Sequence, residues 1–205
     1  MSKIMALDIE TGNYSYEIGG WDKTHLFDPV VVATWDGDNA HIFSKQSEVL
    51  VPHANVHPLH PRVLGEHLKK HIEGGGIIIG HNIRGFDLPI LRDALDMHYA
   101  GVLMNKAKEH LIDTSWTLRS SAGQRVGLDD VCKHTLGRGK QIMHSEDAPI
   151  AWREGKYAEV MKYCLQDCQL NYDLFEYGRK KGVVKARNTD SGIIEDYEVL
   201  WKLEE

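Results

Sequence analysis

The order of apolar patterns predicts an α/β fold in which a mixed sheet is flanked by helices. Three observations carry that expectation. Residues 3–9 are mostly apolar and end in acids followed by Thr11-Gly12, as a buried strand does on reaching a turn. A valine-rich segment, 29–35, is followed by Asp36-Gly37-Asp38-Asn39 and a returning segment, 40–44, which together read as a hairpin. The run Ile77-Ile78-Ile79, bounded by glycine, is apolar on both strand faces and β-branched throughout. A strand of that kind is covered by helices on both sides.

The elements then follow in order. The first three strands form an antiparallel meander, interrupted by a long loop at 13–28 that holds Tyr14, Tyr16, Trp21, His25 and Phe27. Residues 51–61, with Pro52, Pro58 and Pro61, read as loop. Leu64, Leu68, His71 and Ile72 recur at helical spacing, and Gly74-Gly75-Gly76 stops that helix. After the isoleucine strand, a second helix begins near Asp87 and runs through 88–95. Residues 111–115 form the fifth strand, and 128–136 a short helix stopped by Gly137. A long helix over 156–177 carries Val160, Tyr163, Cys164, Asp167, Leu170, Asn171 and Leu174 along one stripe. The sheet is thus expected to have five strands, three antiparallel and two parallel. One domain spans 1–178, and 179–205 is an extension packed on it, either a hairpin or an edge addition.

Composition bounds the function. The chain has 205 residues, 42% hydrophobic and 26% charged, which suits one globular domain with a full core. No apolar run approaches the roughly 20 residues a membrane helix needs, and the N-terminus lacks a leader's apolar region. Cys132, Cys164 and Cys168 form no Cys-x-x-Cys pair and leave one over from any disulfide. A reducing, cytoplasmic setting is the expectation. With 24 basic against 30 acidic residues, the net charge is −6. That disfavours a broad cationic surface for duplex nucleic acid. It leaves open an enzyme whose acids meet phosphates through divalent cations.

Three acidic pieces stand out. Asp8 and Glu10 lie two apart at a strand end, so their carboxylates share a face. Held that close, they raise each other's pKa unless a cation intervenes, and hard ions take such ligands; alone, the pair also reads as a solvated strand end. His81-Asn82-Ile83-Arg84-Gly85-Phe86-Asp87 follows the isoleucine strand and precedes a helix. Asp87 then stands at the C-terminal sheet edge, where α/β sites lie, or serves as a helix N-cap, while Asn82 also reads as a turn residue. Tyr163 and Asp167 are i, i+4 on the apolar stripe of the long helix, so phenol and carboxylate project inward together. A structural tyrosine–aspartate pair is the alternative. Four carboxylates on one sheet edge repel too strongly to be kept without metal.

Leu7-Asp8-Ile9-Glu10-Thr11, Asn82-x-x-x-Phe86-Asp87 and Tyr163-x-x-x-Asp167 resemble, in type and order, the three motifs of the DEDD exonucleases, tyrosine subtype. The nearest likeness is to the proofreading exonuclease domain of family-B DNA polymerases, here free-standing, over roughly residues 3–178. Segments 112–114, 128–137 and 152–163 resemble its strand after the second motif, its short helix, and the lead-in to the third. The resemblance implies a ribonuclease-H-like fold and 3′-5′ hydrolysis of single-stranded or frayed DNA with two Mg²⁺ or Mn²⁺ ions, releasing nucleoside 5′-monophosphates. It implies that Asp8 bridges both ions, that Glu10 and Asp167 hold the ion beside the attacking water, and that Asp87 serves the other. Tyr163 orients the water. Thr11, Gly12, Asn82 and Phe86 position the terminal nucleotide, although Phe86 is equally readable as a core anchor.

The expected partner is single-stranded nucleic acid, DNA before RNA, with a recruiting protein left open and no membrane. Asp-Ile-Glu-Thr, rather than the Asp-Thr-Glu of the RNase D branch, favours DNA over an exoribonuclease. All four acids and the tyrosine are present, which disfavours a non-catalytic accessory module. His67 and His71 are i, i+4 but lack acidic or thiol partners at matching spacing, so they read as non-ligand. Arg179, Lys180, Lys181, Lys185 and Arg187 form a run without acids that suits either substrate phosphates or the dipole at the long helix's end.

Overall fold

In the computed structural model, which describes residues 3–105 and 108–201, a six-stranded mixed sheet is sandwiched between helices. The strands are β1 (Ile4–Thr11), β2 (Pro29–Trp35), β3 (Ala40–Ser44), β4 (Ala54–Pro58), β5 (Ile77–Gly80) and β6 (Leu111–Asp113). Their order across the sheet is β4-β3-β2-β1-β5-β6. β1, β2 and β3 form the antiparallel meander, while β5 joins β1 in parallel and β6 joins β5 in parallel. This is the arrangement of a ribonuclease-H-like fold.

The expected five strands are present and β4 is a sixth, pairing in parallel with β3 from Ala40–Ala54 to Ser44–Pro58. It lies in the proline-bearing stretch that reads as loop. Its residues are exposed or half-buried and show no apolar alternation, so nothing in the pattern marks it. Proline is tolerated there because β4 is an edge strand.

The helices are α1 (Pro61–Glu73), α2 (Asp87–Asp93), α3 (His98–Asn105), α4 (Thr114–Ala122), α5 (Leu128–Leu136), α6 (Ala148–Arg153) and α7 (Tyr157–Lys181). Residues 111–115 do not continue as a strand: β6 ends at Asp113, whose carboxylate accepts the Trp116 amide at 3.1 Å and caps α4. The chain closes with a separate hairpin, β7 (Val183–Arg187) and β8 (Ile194–Glu198).

Strand alternation sorts the core into two layers. Met5, Leu7 and Ile9 of β1 join Ile78 in the layer under α1, α2 and α3. Ile4 and Ala6 join Ile77 and Ile79 in the layer under α5 and α7. Residues 8 and 10 continue this second set, so their side chains emerge on the α7 side just beyond its buried part. The three cysteines are buried free thiols: Cys164 Sγ lies 3.4 Å from the Asp8 carbonyl and Cys168 Sγ 3.2 Å from that of Ala33. These contacts seat α7 directly on β1 and β2.

The histidines of α1 are taken up in packing. His67 pairs with Thr34 Oγ1 at 3.0 Å and packs on the His41 and Phe43 rings, and His71 pairs with the Ile77 carbonyl at 3.1 Å. Four residues of the basic run near the end of α7 meet acids, two of them within α7 itself. Arg179 and Lys180 pair with Glu176, Lys185 with Asp196 and Arg187 with Asp130. The pairs of Lys185 and Arg187 tie the hairpin strand β7 to β8 and to α5.

Candidate active site

β1 delivers Asp8 and Glu10, α7 delivers Asp167, and one carboxylate oxygen from each lies within 4.8 Å of the others. This is the only such acidic, histidine or cysteine group among the described residues. Asp87 stands beside it. β1 pairs with β5 only from Ile4 to Ala6, so its edge is open further along. Asp87 stands at the N-terminus of α2, where the backbone amides of residues 87 and 9 pull its carboxyl pKa down against burial.

The electrostatics match this crowding. Burial, then the charges of Asp167, Asp87 and Glu10, push the Asp8 carboxyl well above its usual range. Glu10 is raised by burial and by Asp167. Asp87 is raised to about 7, chiefly by burial, and Asp167 is raised by burial against the pull of Lys140. Four acids held this way favour protons or a cation over four bare charges.

Lys140 supplies one cation. Its ammonium donates to Asp167 Oδ2 and, at 2.6 Å, to the hydroxyl of Tyr163. Burial works against its charge, but Asp167, Asp8 and Glu10 outweigh it and its pKa is raised. Asp167 Oδ1 remains buried with no hydrogen-bond partner. An all-oxygen group with one orphaned carboxylate oxygen fits a hard divalent ion.

Lys140 is the site residue that the sequence reading missed. It sits in the loop between α5 and α6, directly after Gly139. A Cβ at Gly139 would run into Asp129 and Lys133, so glycine lets the loop lie against α5, where Asp129 Oδ1 takes the Lys140 amide at 2.8 Å. The available signal was physical but unspecific: buried acids need a cation, and Lys140, Arg153, Lys156 and Lys162 all stand in the stretch before Tyr163.

Tyr163 is fully buried, and its phenol is pushed far up by burial and by Asp167, Glu10 and Asp8. It stays protonated at every working pH. The other expected site residues are placed as follows. Thr11 Oγ1 donates to the Asn13 carbonyl, and the Gly12 amide to that of Asp28, while the Gly12 carbonyl accepts Arg153 Nε. Asn82 adopts a left-handed φ of 73°. Its carbonyl accepts the Gly85 and Phe86 amides, and its own amide donates to Asp113 Oδ1. Phe86 meets Trp21 and Phe27 edge-on at 5.7 and 5.5 Å, so it anchors the turn that aims Asp87. Tyr14 stacks on Tyr16 and bonds the Glu146 carbonyl, pinning the 13–28 loop beside the site.

A polar chain holds the end of β5. His81 Nδ1 lies 3.1 Å from Thr114 Oγ1 and its Nε2 2.9 Å from the Val126 carbonyl. Thr114 also reaches Asn171 on α7. Burial lowers His81 to about 4, so the ring is neutral and ties β5, α4 and α7 together.

No protein-family model matches the chain, and no curated protein matches it. Among solved structures it is similar to the family B DNA polymerase from the hyperthermophilic archaeon Pyrobaculum calidifontis. The identity is 18% and the TM-score 0.61, over 87% of this chain and 24% of that one. A likeness at that identity is one of fold, and the chain spans about a quarter of the polymerase's length.

Proposed function

We propose that the chain is a metal-dependent 3′-5′ exonuclease of the tyrosine-type DEDD class, removing nucleotides from single-stranded or frayed DNA. The observation that carries the reading is the meeting of Asp8, Glu10 and Asp167 within 4.8 Å, with Asp87 in electrostatic contact and Tyr163 alongside. These residues come from segments remote in sequence. The polymerase-like fold agrees with it.

Asp8, Glu10 and Asp167 would hold one Mg²⁺ or Mn²⁺, and Asp8 with Asp87 a second. Such ions supply an acidified water and neutralise charge on the phosphoryl and leaving oxygens. The chain's own residues do the rest. Lys140 occupies a lone pair of the Tyr163 hydroxyl. The phenol therefore keeps its proton, which it shares with the Asp167 carboxylate here and would turn to the attacking water once Asp167 holds an ion, so that it orients without acting as a base. Asp87, held by the amides of residues 9 and 87, fixes the opposite side of the site. The turn at 82–86, packed through Phe86, would offer backbone groups to the terminal nucleotide.

The test uses end-labelled single-stranded DNA, duplex DNA and RNA with Mg²⁺, Mn²⁺ or chelator, alongside Asp8→Ala. A ladder descending from the 3′ end, metal-dependent and reduced at least a thousandfold in the variant, is the expected result. Cleavage unchanged by Asp8→Ala removes the cluster from the chemistry. A ladder on RNA alone moves the substrate class to ribonucleic acid.

A further inference from the structure

A groove of about 710 Å³ runs along the open edge of the sheet, beside β6. Asn82, Asp113, Arg84, Arg119, Arg125 and Trp116 are among the residues that line it. The one acid among these is already satisfied: Asp113 accepts the amides of Asn82, Arg84 and Trp116 at 3.0–3.1 Å. Arg119 and Arg125 have no ion-pair partner among the described residues. In a chain of net charge −6, a groove with two guanidinium groups, Arg119 and Arg125, outside any ion pair among the described residues and one spent carboxylate is a local inversion of sign.

Trp116 is 67% exposed and stands one helical turn before Arg119 on α4. An open indole face in one groove with Arg119 and Arg125 is suited to unpaired bases on a phosphate backbone, because bases within a duplex already stack on each other. The acidic cluster does not itself line the groove; the two are joined through the 82–87 turn. Asn82 begins the turn that ends at Asp87, and the charge of Asp113 is felt by Asp87.

We propose that this groove carries a single-stranded nucleic acid segment, with phosphates on Arg119 and Arg125 and a base on Trp116. That the segment is the substrate strand approaching Asp87 rests on the exonuclease reading; its occupancy of the groove does not.

The experiment measures binding by the full chain carrying Asp8→Ala, in Mg²⁺, so that no product forms. The probes are 5′-fluorescein dT12 and rU12, with a fluorescein-labelled 12-residue oligoglutamate standing for an acidic protein partner. Arg119→Ala with Arg125→Ala should weaken an oligonucleotide at least tenfold. It should also flatten the slope of log affinity against log salt by about 1.4, two phosphates' worth for a single strand. Trp116→Ala should weaken binding about fivefold or more. Trp116→Phe should retain binding and abolish the quenching of tryptophan emission that a stacked base produces, which separates stacking from a folding defect.

Absence of oligonucleotide binding, or wild-type affinity and salt slope in the double variant, overturns the proposal. Equal binding of oligoglutamate through the same arginines overturns it in favour of a protein partner. Loss of dT12 affinity in the groove variants, together with no hydrolysis by the chain that retains Asp8, would sink the exonuclease reading and leave the groove. Hydrolysis by wild type with unaffected groove variants does the reverse.

Discussion

At the residue scale the site turns on an ammonium group among four carboxylates. Lys140 is 16% exposed and its partner Asp167 4%, so their pairing is scarcely screened by solvent. Its Nζ sits on Asp167 and next to Asp8 and Glu10 in charge, which is where a divalent ion would bind. Two effects follow. In chelator, Lys140→Met should lower unfolding stability by about 3 kcal/mol, because it strands a buried carboxylate. In titrations with Mn²⁺, the same variant should bind more tightly than wild type, since no ammonium competes for Asp167. Calorimetric titration and urea melts of the two proteins read both, and an unchanged Mn²⁺ affinity would mean that Lys140 does not stand in the ion's place. The residues legible in the sequence, Asp8, Glu10, Asp87, Tyr163 and Asp167, all sit on strands or helices or at their ends, where spacing dictates direction. Lys140, Arg119 and Arg125 were not legible as site residues. Lys140 and Arg125 are on loops whose course no periodicity sets, and Arg119 is on a helix that the local pattern hides.

At the scale of elements, what could be read depended on burial. β1, β2 and β5 are almost wholly buried and declare themselves by apolar runs. β4 is half-exposed and silent. α4 is masked because Leu111-Ile112-Asp113-Thr114-Ser115 carries strand-like residues across its start, although Asp113 was available as an N-cap. The C-terminal hairpin was anticipated only as one of two forms, and the structure shows how it is fastened. Trp201, 1% exposed, stacks on Phe175 at 5.8 Å and donates its indole N–H to Thr117 Oγ1. Its ring lies over Gly178 of α7, so close that a Cβ there would collide with the six-membered ring. Gly178→Ala should therefore cost about 1–3 kcal/mol by overpacking, even though alanine favours a helix. Trp201→Ala should cost about 3–5 kcal/mol by leaving a cavity. If the hairpin docks through this contact, the double variant should lose less than the two single losses added together, as neighbours sharing a contact do. Strict additivity in urea melts would show that Gly178 and Trp201 act apart.

Across the whole molecule, two sets of buried titrating groups oppose each other, and a bound ion would cancel one of them. The acids Asp8, Glu10, Asp87 and Asp167 have raised folded pKa values, with Asp87 at about 7. In the range from about 4 to 7 they hold more protons folded than unfolded, so the stability they contribute falls as pH rises. His41, His67, His71 and His81 are lowered by burial, His67 and His81 to about 4. They hold fewer protons folded than unfolded below about 6.5, so the stability they contribute is present above that pH and is lost as pH falls. Facing His67 are His41 and His57 from the sheet and His71 from its own helix, with Asp36 the one acid favouring protonation. In chelator the two sets act over the same window with opposite sign, and unfolding stability should vary little between pH 5 and 7. Saturating Mn²⁺ takes the acids as carboxylates and releases their protons, leaving the histidines to set the slope. The stabilisation that Mn²⁺ confers should therefore grow steadily from pH 5 to pH 8, and the loaded protein should lose stability on acidification more steeply than the chelated one. Thermal melts at pH 5, 6, 7 and 8, with Mn²⁺ or chelator, measure this directly. A stabilisation of the same size at pH 5 and pH 8 would mean that the four acids are already charged without the ion, and that the cluster does not store the repulsion from which its affinity for metal is derived.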